Sequence, residues 1–199
     1  MDSNKLLPIE PKQSRSKKKF ENILNSAEEI LIQDKSVLTF ISLSIHSKYK
    51  RASIYKYFPS IESLYLGILF RHEGNFLKLL QNNFKDKLDL DLDWYLKIYI
   101  DLLAIYLDKN KHLRKVFNMC EVISKNQPSV LTATANQDNT FCVALMTCLN
   151  ELEIEYPEFK VRMSALIGMT VLLNYMPRYS SPIAIAEAKK ACLAYFYTP

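Results

Sequence analysis

The chain has 199 residues, 49% hydrophobic and 24% charged, with a net charge of +5. These are the proportions of a globular protein with one good core, or with a small module joined to a larger one. With only three glycines (Gly67, Gly74, Gly168) and no Gly-rich phosphate motif, they disfavour a sheet protein and exclude a phosphate-cradling loop. Residues 1–60 hold eleven Lys and Arg against six Asp and Glu, whereas the remaining chain holds fifteen of each. All the excess positive charge therefore lies in the N-terminal third, which suggests a polyanionic partner there: nucleic acid, an anionic membrane surface or an acidic protein. Cys120, Cys142, Cys148 and Cys192 form no C-x-x-C pair and read as reduced, mostly buried thiols of a cytoplasmic protein. The N-terminus lacks the apolar region of a signal peptide, and no apolar run is long enough to span a membrane.

Residues 1–14, with Pro8 and Pro11 and no periodicity, are expected to be a disordered arm. Lys17, Lys18 and Lys19 follow, and then Phe20, Ile23, Leu24, Ala27, Ile30 and Leu31 recur with helical period on one face. A short second helix begins at Thr39, whose hydroxyl can cap it, and buries Phe40 and Leu43. "SKYK", Ser47 to Lys50, makes a tight turn. A third short helix covers about Arg51 to Phe58, with Ile54 and Phe58 inward, and Pro59 stops it. Ser60 caps the fourth, which carries Ile61, Leu64, Tyr65, Ile68, Leu69, Leu77 and Leu80. Further helices are expected at about 91–108 and 111–124, then a break at Pro128 and a long helix ending near Glu153. Another follows from Pro157, and the last has Ser181 as N-cap and Pro182 at its first position.

Two short helices joined by a tight turn, behind a longer helix and inside a basic third, make a helix-turn-helix. "SIYKYFPSIESLYLGIL", Ser53 to Leu69, resembles the version found in the tetracycline-repressor (TetR) family. The matching run is Ser53, Ile54, Tyr55, Lys56, Tyr57, Phe58, Pro59 and Ser60, followed by Glu62 and Leu64. "FENILNSAEEIL" resembles the family's first helix, and the match covers about residues 17 to 70. Three positions depart from it: Lys48 stands where the family usually has the turn glycine, Ala52 where it often has glycine, and Ile61 where it commonly has a phosphate-contacting lysine. A left-handed Lys48 would cost roughly 1 kcal/mol, so a slightly different turn is expected.

The resulting expectation is an all-α protein: residues 15–64 form a three-helix DNA-binding domain, and residues 65–199 a helical effector-binding and dimerisation domain. Lys50, Arg51, Ser53 and Lys56 face the major groove, where Arg51 can pair with a guanine edge and Ala52 permits close approach or touches a thymine methyl. The resemblance implies phosphate contacts from the hydroxyls of Tyr55 and Tyr57, and the Thr39 end of the second helix offers another. Tyr55 could instead cover the core. Lys18 and Lys19, with Lys17, either track the DNA backbone or remain a solvated arm. Tyr95, Tyr99, Tyr106, Phe117 and Phe141 on the central helices read most simply as packing; the resemblance implies that such residues enclose a cavity for an apolar or aromatic effector. Ala165, Gly168, Leu172, Ala191 and Tyr195 fall on the last two helices, whose small and surplus apolar residues suggest a homodimeric four-helix bundle, as the resemblance also implies. No catalytic set can be assembled, and the scattered His46, His72 and His112 with the spaced cysteines suggest neither metal nor cofactor. The expected function is a transcriptional repressor on a palindromic double-stranded DNA operator, released by a small molecule. The alternative is a non-catalytic helical module using its basic end on a membrane or an acidic protein.

Overall fold

A computed structural model describes residues 7–33, 37–85, 87, 90–126, 140–178 and 180–198. These residues form helices and connecting turns and no strands. The helices are α1 (Ser14–Gln33), α2 (Phe40–Ser47), α3 (Arg51–Tyr55), α4 (Ile61–Phe84), α5 (Leu92–Lys109), α6 (Leu113–Asn126), α7 (Thr140–Glu151), α8 (Glu158–Tyr175) and α9 (Ser181–Tyr197). None of them is long and apolar enough to cross a membrane. Two compact units result, one of residues 1–71 with 111–137, the other of 72–110 with 138–199.

In the first unit, the six apolar residues that mark α1 by their spacing, Phe20 to Leu31, are the ones it buries. Leu43 of α2 and Ile54 and Phe58 of the α3 region close that core. Phe58 stacks on Phe20 with ring centroids 4.7 Å apart. Gly67 of α4 leaves room for them: a Cβ there would lie 3.0 Å from Phe58 Cε1 and 3.1 Å from Leu24 Cδ2. Polar contacts tie the outer faces together. Arg71 Nη1 donates to Asn25 Oδ1 at 2.7 Å. Its Nη2 lies 2.7 Å from Glu28 Oε2, a charge contact out of line for a hydrogen bond. Lys115 of α6 donates to the Leu31 carbonyl at 2.9 Å and so links α6 to the end of α1 in this unit.

In the second unit, α8 and α9 form the most extensive helix pair, and α5 packs on both. Gly168 permits that approach: a Cβ there would collide with Ile100 Cδ1 of α5 and press on Cys192 Cβ of α9 at 3.2 Å. Lys189 and Asp101 form an ion pair at 2.6 Å between α9 and α5.

Several boundaries differ from the sequence expectation. α3 ends at Tyr55, although Tyr57 and Phe58 both still donate to the Ile54 carbonyl at 2.9 Å. The cap of α9 is Ser180 rather than Ser181, which places Ser181 and Pro182 in the first turn. The break expected at Pro128 lies outside the described residues.

Candidate nucleic-acid interface

The helix-turn-helix is held by capping and by its turn. Thr39 caps α2: Ser42 N donates to Thr39 Oγ1 at 3.1 Å, and Thr39 N donates to Ser42 Oγ at 2.9 Å. This reciprocal pair satisfies two backbone donors. The turn is left-handed at Lys48, with φ 59°. The backbone thus adopts the conformation that favours glycine and carries about 1 kcal/mol of strain with lysine in it. Tyr49 braces it. Ser44 Oγ donates to the Tyr49 carbonyl at 2.7 Å, Asn22 donates to its hydroxyl at 3.2 Å, and Lys19 Nζ lies 5.1 Å from the ring centroid. His46 Nε2 lies 2.6 Å from Glu29 Oε2 and ties α2 to α1. Ser60 and Ser63 repeat the reciprocal cap at the start of α4, with Ser63 N to Ser60 Oγ at 3.1 Å and Ser60 N to Ser63 Oγ at 3.2 Å.

This frame sorts the α3 region into two faces. Ile54, Tyr57 and Phe58 point inward and are buried. Lys50, Arg51, Ala52, Tyr55 and Lys56 are exposed, and Ser53 is half-buried. Tyr55 is 46% exposed and rests on Phe40, ring centroids 4.2 Å apart. The exposed face thus joins three cationic side chains, a small residue and a phenol, and none of the three cations has an ion-pair partner among the described residues. Such a surface suits a groove lined by phosphates and base edges.

The remaining expected site residues fall as follows. Tyr57 is not on the exposed face. It is 6% exposed and set edge-on to Phe20 at 6.2 Å, because the chain leaves α3 after Tyr55 and turns this ring into the core. Lys18 is exposed, while Lys19 is half-buried and engaged with Tyr49. Thr39 is exposed, with its hydroxyl in the cap. In the second unit Tyr95, Tyr99 and Phe141 are buried and Tyr106 half-buried. Phe76 gathers Phe141, Tyr106 and Tyr99 around itself at 5.0, 5.4 and 5.8 Å, so these rings pack on one another. Tyr99 contacts Cys142 Sγ at 3.7 Å, and complete burial pushes its phenol well above the ordinary range. Phe117 is half-buried on α6, in the first unit.

Of the residues expected at a dimer interface, Ala165, Gly168 and Leu172 are fully buried within the single chain. The small residues of α8 serve its approach to α5 and α9. Ala191 and Tyr195 stay partly open, and Phe159, Ile183 and Tyr197 on the same two helices are 68%, 54% and 65% exposed.

Sequence reasoning missed Tyr49 as the brace of the turn, and it missed residues 9–13. Within the arm expected to be without order, Ile9 N donates to the Tyr57 carbonyl at 2.8 Å. The signal for Tyr49 was its place between two lysines in the turn; for Ile9 it was a lone apolar residue between two prolines.

No protein-family model and no curated protein matches the sequence. Solved structures do. One, from Mesorhizobium loti, is of a protein assigned to the TetR family of transcriptional regulators: 12% identity, TM-score 0.62, over 92% of this chain and 97% of that one. Another, of a TetR transcriptional regulator from a Rhodococcus species, matches with 16% identity, TM-score 0.62 and the same coverage. The chain has the fold of these regulators, all-helical with an N-terminal helix-turn-helix and a helical C-terminal domain.

Proposed function

We propose that the protein is a TetR-type transcriptional regulator that binds double-stranded DNA sequence-specifically through α3 and acts as a repressor. The observation that carries this reading is the division of the α3 region. Ile54 and Phe58 anchor it while Lys50, Arg51, Ala52, Tyr55 and Lys56 remain outside, in the third of the chain that holds the excess positive charge. Arg51 donates two hydrogen bonds to a guanine edge, Ser53 reaches a base or phosphate, and Ala52 lets the helix approach. Tyr55, Lys50, Lys56 and Lys18 meet phosphates, which set register rather than sequence. Residues 15–64 act as the DNA-binding domain and 65–199 as the effector and dimerisation domain.

The working unit is a cytoplasmic homodimer without catalytic activity. Its interface is the open face of α8 and α9, with Ala191 and Tyr195, flanked by Phe159, Ile183 and Tyr197. Exposed apolar side chains gathered on two helices are the kind of surface that partners cover. Two α3 helices related by a two-fold axis meet half-sites roughly 34–36 Å apart or a multiple of it, which implies a palindromic operator. A small apolar or aromatic effector bound among the aromatics of the second domain would change that spacing and release the DNA.

The test is selection of duplexes from a random pool by the purified protein, followed by anisotropy titration with the enriched site and a scrambled one. The expected preference is at least 10³-fold at physiological salt. Equal affinity for both duplexes, together with binding to anionic vesicles, would replace this reading by that of a surface-binding helical module.

A further inference from the structure

Beside α3, the arm, the start of α1 and the residues after α3 enclose an open cleft of about 320 Å³. Ile9, Lys12, Gln13 and Ser16 line one side, and Lys56 and Tyr57 the other. The cleft is fixed relative to α3 by two backbone bonds. Ile9 N donates to the Tyr57 carbonyl at 2.8 Å, and Lys17 N to the Gln13 carbonyl at 2.9 Å. The first pins the arm beside the recognition helix, and the second joins the arm to the first turn of α1.

The walls are largely apolar, with Ile9, Pro11 and the Tyr57 ring, and all the charge they carry is positive. Lys12 and Lys56 are both exposed, and neither has an ion-pair partner among the described residues. The Gln13 amide and Ser16 hydroxyl add neutral donors, and the first turn of α1 contains no acidic residue. Glu10 is the one carboxylate on the arm from residue 7 to 13, and it does not line the cleft. Two ammonium groups and two neutral donors around an open cleft select a tetrahedral anion whose ester chain continues past both ends, rather than an enclosed small molecule. Lys56 belongs both to this cleft and to the exposed face of the α3 region, so a polymer lying along that face passes the cleft.

We infer that this cleft is a clamp for a DNA backbone phosphate flanking each half-site, with Lys12 of the arm and Lys56 on either side of it. The inference rests on the DNA-binding reading above. It makes Ile9 and Tyr57 positioning residues: Tyr57 acts through its buried ring and its carbonyl instead of offering its hydroxyl to phosphate. It also gives the N-terminal arm a fixed place on the duplex where Ile61 supplies no cation.

The probe is a duplex enriched by the wild-type protein, prepared as a series in which one neutral methylphosphonate linkage steps through the flank of a half-site. Each lost phosphate contact lowers the salt slope by about 0.9 and, at 0.15 M salt, weakens binding about fivefold per half-site. Lys12→Ala should show that loss with unchanged base preference and unchanged melting temperature. Lys12→Arg should restore it, and Ile9→Pro, which removes the tethering N–H, should lose the same amount. At one flanking position the methylphosphonate should weaken Lys12→Ala, which keeps Lys56, less than it weakens the wild type, whereas with Arg51→Ala the two losses should add. Wild-type affinity and salt slope in Lys12→Ala, or additive losses at every phosphate, would overturn the clamp while leaving α3 recognition intact. Failure of the wild type to enrich any sequence would overturn the DNA-binding reading and the clamp with it.

Discussion

Phe58→Ala tests whether the recognition helix is fastened from beneath. Phe58 is completely buried and stacks on Phe20, with ring centroids 4.7 Å apart and planes 26° from parallel. Truncating a buried Phe costs about 3–5 kcal/mol, depending on how far the site collapses. Here collapse is poor, because the neighbour across the ring is Gly67, which has no side chain to move into the void. Loss of the stacked pair adds to this, so the upper part of the range, about 4–5 kcal/mol, is expected. That shifts the folding equilibrium on the order of a thousandfold and is a large part of a typical domain's 5–15 kcal/mol. The assay is urea unfolding followed by far-UV circular dichroism, with limited proteolysis to show which unit opens. Phe58→Ala should lower the first transition and expose residues 14–71 to cleavage, while Phe58→Leu should cost far less. An unchanged midpoint in Phe58→Ala, or equal damage from the two variants, would refute the anchoring argument.

Gly168→Ala places a methyl against Ile100 and Cys192 and should cost about 1–3 kcal/mol in urea unfolding of the second unit; Ile100→Val should relieve part of that cost, and simple additivity would contradict the contact. Burial raises the Glu73 carboxyl to about 7. Its folded value lies above its unfolded one, so stability should be greatest below about pH 4.5 as far as this group is concerned and fall as pH rises toward 7. Glu73→Gln should flatten that slope, by roughly 1 kcal/mol after allowance for partial exposure; an unaltered pH profile would show the carboxyl to be well solvated. Ala191→Glu should give monomers by light scattering and weaken operator binding, because a two-fold interface takes each charge twice; a mutant that remains dimeric would move the interface away from α9.

Much of the helix-turn-helix was legible because local rules and tertiary demands agree there. Thr39 caps the helix it precedes, the spacing of Phe20 to Leu31 marks the buried face of α1, and Phe58 follows Ile54 by one turn into the core. Legibility failed where a face could be covered in more than one way. Ala165, Gly168 and Leu172 signal close helix approach, but spacing does not say whether the partner is α5 and α9 of the same chain or another copy. Tyr57 reads as a surface phenol until the early end of α3 is known, since one turn of added helix would carry its ring elsewhere. The link between α6 and α1, Lys115 meeting the Leu31 carbonyl 84 residues away, is one that no local pattern encodes. Lys48 shows the reverse: the turn keeps its left-handed geometry although the residue is unfavourable, because Tyr49, Ser44 and Asn22 hold the next position.

The central claim, that the exposed face of α3 reads base sequence, is tested most directly by selecting duplexes from one random pool with the wild type and with Arg51→Ala in parallel. The wild type should enrich a two-fold symmetric site. Arg51→Ala should bind it about 1–3 kcal/mol more weakly and lose preference at one base pair in each half-site while keeping it at the others. An Arg51→Ala profile identical to that of the wild type at every base pair would contradict the placement of α3 in the groove.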